Sequence, residues 1–167
     1  MNPKPYDPAN EELNWRLGLI NYHLTGNYQR CNIDFRAQTS SIYMWSWGGD
    51  FRKHEPGAWF SKRSAGIIRK GKNKIKDLKQ SVMADHERPL VLLYEDLKQL
   101  GTLSNEQLYD WLVQHNHFVH IHAEEDAALT AKGWRDRKRP TDAYKQLGIE
   151  IYFVPKYDRN KPIPAES

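Results

Sequence analysis

The sequence predicts an α/β (or α+β) fold: a single domain with a mixed sheet, an N-terminal helix and hairpin, and a βαβ-like second half. Three observations predict it. Residues 11–25 place apolar side chains at helical spacing. Residues 31–47 change to a two-residue alternation. From residue 90 onward, short apolar runs alternate with segments that carry helix caps and stops. At 167 residues the chain fits one domain. We read 1–155 as that α/β domain and 156–167, charged and holding Pro162 and Pro164, as a loose C-terminal tail.

The elements follow in order. Asp7-Pro8 reads as an N-cap followed by Pro at the first helical position. Glu11 and Glu12 then complement the helix dipole. Leu13, Leu17, Ile20 and Leu24 form the inward stripe, and Gly26 ends the helix. Ile33, Phe35 and Ala37 alternate with Asn32, Asp34 and Arg36, the pattern of a half-buried strand. Ile42 to Trp47 is aromatic and β-prone, with Thr39-Ser40-Ser41 closing a hairpin before the breaker Gly48-Gly49-Asp50. Residues 50–73 read as loop with short strands at Ala58–Phe60 and Gly66–Arg69. Lys72 to Met83 reads as a helix with Ile75, Leu78 and Val82 inward.

In the second half, Leu90-Val91-Leu92-Leu93 reads as a buried strand. Ser104 with Gln107 is a capping box, starting a helix with Leu108, Trp111 and Leu112 inward. Phe118–His122 reads as a strand and Glu124–Lys132 as a helix stopped by Gly133. Thr141 caps a last helix through Leu147, and Ile149–Val154 is a terminal strand. The parallel part of the sheet is then expected from the second half and the antiparallel part from the first.

Composition narrows the function. Six Trp, nine Tyr and five Phe argue against disorder and imply a core filled largely by rings, with Trp59 and Trp47 the more exposed. No apolar run approaches 18 residues, so no membrane partner is expected. The polar, Pro-rich start does not resemble a signal peptide. A lone cysteine, Cys31, excludes an internal disulfide and a Cys-cluster metal site, which fits a reducing, cytoplasmic setting.

The net charge of +4 is unevenly placed. Arg52 to Lys79 holds ten basic residues against Glu55 and Asp77, so the remainder of the chain is acidic. A second basic run is Arg135, Arg137, Lys138 and Arg139. Concentrated positive charge suits a phosphate backbone, because each neutralised phosphate releases condensed counterions. DNA or RNA is therefore the expected partner, with Arg63, Arg69, Lys70, Lys72, Lys74 and Lys76 on phosphates. Tyr43, Trp45, Trp47, Phe51, Trp59 and Phe60 flank this segment, and rings among cations suit stacked single-strand bases. Of these, Trp59 is the candidate contact. The alternative is a non-enzymatic inhibitor or adaptor that docks its basic patch on an acidic protein partner.

Four of the seven histidines fall at His115, His117, His120 and His122. On a strand, His120 and His122 point to the same side, and Glu124 extends that side, so a divalent metal (Zn or Mg) is the expected cofactor. His-x-His among apolar residues resembles the metal motif of rolling-circle nucleases. That resemblance implies a downstream nucleophilic tyrosine, Tyr144 or Tyr157. His122-Ala123-Glu124 also resembles the His-Ala-Glu signature of zinc-dependent cytidine and deoxycytidylate deaminases. It implies His122 as a zinc ligand and Glu124 as the proton shuttle, although the family's Pro-Cys-x-x-Cys pair has no counterpart here. Asp96-Leu-Lys98, with Asp85 or Asp34 as partner, resembles the metal-binding arrangement of restriction-type nucleases. Gly66 to Lys72 has the Gly-x-x-x-x-Gly-Lys spacing of a phosphate-binding loop. The enzymatic expectation is thus metal-dependent nuclease or nucleotide processing, with His122 and Glu124 catalytic and His120 and His122 on the metal.

Overall fold

The computed structural model describes residues 3–26, 33–48, 57–68 and 82–155. Among them are seven helices and a four-stranded mixed sheet, the expected fold class. In chain order the elements are α1 (Glu11–Thr25), α2 (Ile33–Ser46), β1 (Gly57–Ser61), α3 (Lys62–Ile68), β2 (Val82–His86), α4 (Leu90–Leu100), α5 (Asn105–His115), β3 (Phe118–His122), α6 (Ala123–Ala131), α7 (Ala143–Gln146) and β4 (Ile151–Pro155). They group into two compact units. The described residues of 1–54 and 90–117 form a helical unit, and those of 55–89 and 118–167 form a sheet unit. Among the described residues no helix is long and apolar enough to cross a membrane.

The helical unit is built from α1, α2, α4 and α5 around Leu13, Leu17, Ile20, Phe35, Ile42, Leu97, Leu108 and Leu112. The stripe expected on α1 is buried as read, but the helix starts later. Asp7 accepts from the Ala9 amide and makes a turn, while Asn10 is the N-cap, accepting from Leu13 N at 2.9 Å. Where a hairpin was expected over 31–47, Ile33–Ser46 forms the helix α2. Its helical period is hidden because polar side chains take inward positions. Thr39, wholly buried, donates to the Phe35 carbonyl at 3.0 Å, and Ser46 donates to the Tyr43 carbonyl at 2.8 Å. Arg16 donates to Gln38 Oε1 at 2.7 Å. The Thr39 and Ser46 hydroxyls and the Gln38 carbonyl each find a partner, so burying them costs little. Tyr43, Trp45 and Trp47 are accordingly buried, Trp47 against expectation. The run Leu90–Leu93 lies in helix α4, where Leu93, Tyr94 and Leu97 turn inward. A four-residue apolar run fits a buried strand or a helix equally well.

The sheet unit orders its strands β2-β3-β1-β4. β1 runs parallel to β3, whereas β2 with β3 and β1 with β4 are antiparallel. The parallel pair therefore joins the two halves of the chain and does not come from the second half alone. β1, β3, α6 and β4 match the sequence reading, but three expectations are not met. The last helix spans only Ala143–Gln146, and its N-cap is Asp142 and not Thr141. Gly66 to Ile68 belongs to α3 and not to a strand, and Val82 and Met83 belong to β2 and not to a helix. The expected helix over 72–81 and the tail 156–167 lie outside the described residues. On one sheet face, Val119 and Ile121 pack with Leu129 of α6 and with Ala143 and Tyr144 of α7. Phe118, His120 and His122 leave β3 on the other face and are half-buried.

Candidate functional site

β1 passes into α3, and β3 into α6, with no residue between strand and helix. Because β1 and β3 are parallel neighbours, both helix starts lie at the same end of the sheet. A polar knot joins them. Ser61, wholly buried, donates to Glu125 Oε2 at 2.6 Å and accepts from Ser64 N at 3.1 Å. Ser64 Oγ in turn donates to the His120 carbonyl. Glu125 Oε2 also accepts from the His122 amide at 2.7 Å, and His122 Nδ1 accepts from the Glu124 amide at 3.1 Å. His122 and Glu125 thus form a reciprocal cap on α6.

This geometry defines what the histidines can do. His122 accepts through Nδ1, so its neutral imidazole carries the proton on Nε2. A metal could bind at Nε2 only if the proton moved to Nδ1, and that would break the cap. His120 Nδ1 donates to the Trp59 carbonyl at 3.3 Å, and its ring stacks on Phe60 with centroids 4.7 Å apart. The carboxylate of Glu124 pairs with Arg63. Among the described residues no three His, Cys, Asp or Glu side chains are grouped to hold a metal ion.

The other motifs resolve individually. Tyr144 is buried with Val119 and Ile121, on the opposite sheet face from His120 and His122, and donates to Asp85 Oδ2 at 2.7 Å. It is therefore not placed to be the nucleophile of a rolling-circle site, and Tyr157 lies outside the described residues. Asp96 and Lys98 sit two positions apart on α4, where the helical turn sends them roughly 200° apart. They do not share a face as the nuclease motif requires. Asp34 is on α2, in the helical unit, 3.9 Å from His23 Nε2. Gly66 to Ile68 is helical, which removes the start of the phosphate-loop spacing.

Of the expected nucleic-acid contacts, Arg69, Lys70, Lys72, Lys74 and Lys76 lie outside the described residues. Lys62 and Arg63 are on the exposed side of α3, Lys62 pairing with Glu150 at 3.1 Å. Trp59 is half-buried against Phe153, with ring centroids 5.3 Å apart. In the second basic run, Arg135 bonds both oxygens of Asp126 at 2.5 and 2.6 Å. Arg139 turns inward. Its guanidinium bonds Asp85 at 2.7 and 3.2 Å and the carbonyls of His86, Glu87 and Trp134. Nothing in the spacing of Arg139 distinguishes it from its exposed neighbours, so sequence reasoning could not have separated it. No known protein family, curated protein or solved structure matches this chain.

Proposed function

We propose that this protein binds nucleic acid, with the basic segment Arg52 to Lys79 supplying the phosphate contacts. One observation carries the reading. Ten basic residues stand against two acidic ones between Arg52 and Lys79 in the sequence, and one described residue of each basic run meets the first turn of α6: Arg63 pairs with Glu124, and Arg135 pairs with Asp126. Those two arginines are neutralised by their carboxylate partners, so the positive charge offered to phosphate is that of the remaining basic residues of the segment. A local positive field of this kind raises both the rate and the affinity of phosphate binding at low salt. Catalysis at His120, His122 and Glu124 forms no part of the proposal, because the cap and the Arg63 pair already use the groups it would need.

A salt series tests it. An end-labelled oligonucleotide is titrated with the full chain between 20 and 200 mM salt. The expected result is binding at low salt that weakens steeply and log-linearly as salt rises. Lys72→Ala/Lys74→Ala/Lys76→Ala should reduce the magnitude of the slope by about 2 on a single strand. Absence of binding at the lowest salt, or a slope unmoved by the triple substitution, overturns the reading.

A further inference from the structure

The segment after α6 is an exposed loop held by several backbone bonds. Gly133, at φ 69°, turns the chain out of the helix. Its amide donates to the Thr130 carbonyl, and the Trp134 amide donates to the Leu129 carbonyl, both at 2.9 Å. The Arg139 amide donates to the Asp136 carbonyl at 3.1 Å. From below, the buried Arg139 clamps the loop to β2 through Asp85 and to itself through the Trp134 carbonyl. From the side, Arg135 ties it to α6 through Asp126. Around these anchors Lys132, Asp136, Arg137 and Lys138 are exposed. The half-buried ring of Trp134 carries the Lys132 ammonium over it, 5.9 Å from the centroid.

We propose that this loop, Lys132 to Lys138, is a preformed contact surface for single-stranded nucleic acid. Lys132 and Lys138 meet backbone phosphates, and a base stacks on the Trp134 ring in place of the Lys132 ammonium. The inference rests on the proposed function and names the strand form and a second contact surface for it. Three features favour this occupant. Cations alternate with an aromatic ring, the pairing that single strands use for phosphate and base together. The group over the ring is the flexible end of Lys132, which a stacking base displaces at the cost of one exposed cation–π contact. The loop is held in place before binding, so little side-chain and backbone order remains to be imposed on association.

The test compares a labelled oligothymidylate with the same length of duplex and with polyglutamate. Lys132→Glu/Lys138→Glu should bind the single strand at least tenfold more weakly at low salt, with the slope reduced in magnitude by about 1.4, as expected for two phosphate contacts. Trp134→Leu should weaken binding about tenfold with its slope unchanged, while Trp134→Phe, which keeps a ring, stays within a few-fold of the parent. Melting curves of each variant check that the unit remains folded. If the parent binds but the double variant binds equally with the same slope, the loop's role is overturned and the proposed function stands. Equal competition by duplex or polyglutamate overturns the single-strand assignment. Failure of the parent to bind at all overturns both.

Discussion

Two buried tyrosines show how single side chains set the chemistry of their surroundings. Tyr144 is held protonated chiefly by burial, then by the charge of Asp85 and its hydrogen bond to that carboxylate, against a smaller opposing effect of Arg139. Tyr109 is shifted upward in the same direction, by burial first and by Asp110 second, and its hydroxyl donates to the Lys4 carbonyl at 2.6 Å. Each phenol loses its proton more readily in the unfolded chain, where it titrates near 10.0. The stability they supply is therefore fully present below that pH and is lost as pH rises above it. Above pH 10 each should remove about 1.4 kcal/mol of stability per pH unit. Urea unfolding measured from pH 8 to 11 should fall off at the alkaline end, and Tyr144→Phe should flatten that fall by one proton's worth. A fall of equal steepness in the variant would mean that other groups drive it.

At the scale of elements, α6 depends on its cap more than on its sequence. Three acidic residues, Glu124, Glu125 and Asp126, sit in its first turn, where the helix dipole favours them. His122 supplies the acceptor that Ser, Asp or Asn usually provides. His122→Ala should cost about 1 kcal/mol of stability in chemical denaturation, whereas His122→Asn should recover most of it. If both variants are equally destabilised, the imidazole contributes by packing and not by capping. α2 gives the complementary lesson. It has no sustained apolar stripe, yet it is buried along most of its length because Thr39, Gln38 and Ser46 bond their neighbours.

For the whole chain, the order of elements matters more than any one contact. The helices α4 and α5 are inserted between β2 and β3, which pair antiparallel as sheet neighbours. Each unit is thus assembled from segments distant in sequence. β4 pairs with all five residues of β1, from Gly57 opposite Pro155 to Ser61 opposite Ile151. Deleting residues 149–167 should therefore disrupt the sheet unit while leaving the helical unit's stability nearly unchanged. Hydrogen exchange would read this as lost protection at Val119 and Ile121 with retained protection at Leu17 and Leu97. Uniform loss across both sets would mean that the units fold as one.

Several elements were legible in the sequence because their signals are local. The Ser104–Gln107 box starts α5 as read, and β3, α6 and β4 stand close to their expected places. The stripe on α1 is equally direct. The sequence also determined the gathering of cations into two runs and the exclusion of a disulfide, since both are matters of composition. Tertiary structure alone decided the rest. Whether Leu90–Leu93 coils or extends depends on which neighbours bury it, and the alternation at Ile33, Phe35 and Ala37 was outweighed by long-range packing in the helical unit. The same holds for the site. His120 and His122 were correctly expected on one face, but only the junction with α6 turned His122 into a cap, and only the approach of β2 drew Arg139 out of the basic run and into the interior. Periodicity reports which side of an element is apolar. It carries no information about the partner that a polar side chain will find there, because that partner comes from a distant part of the chain.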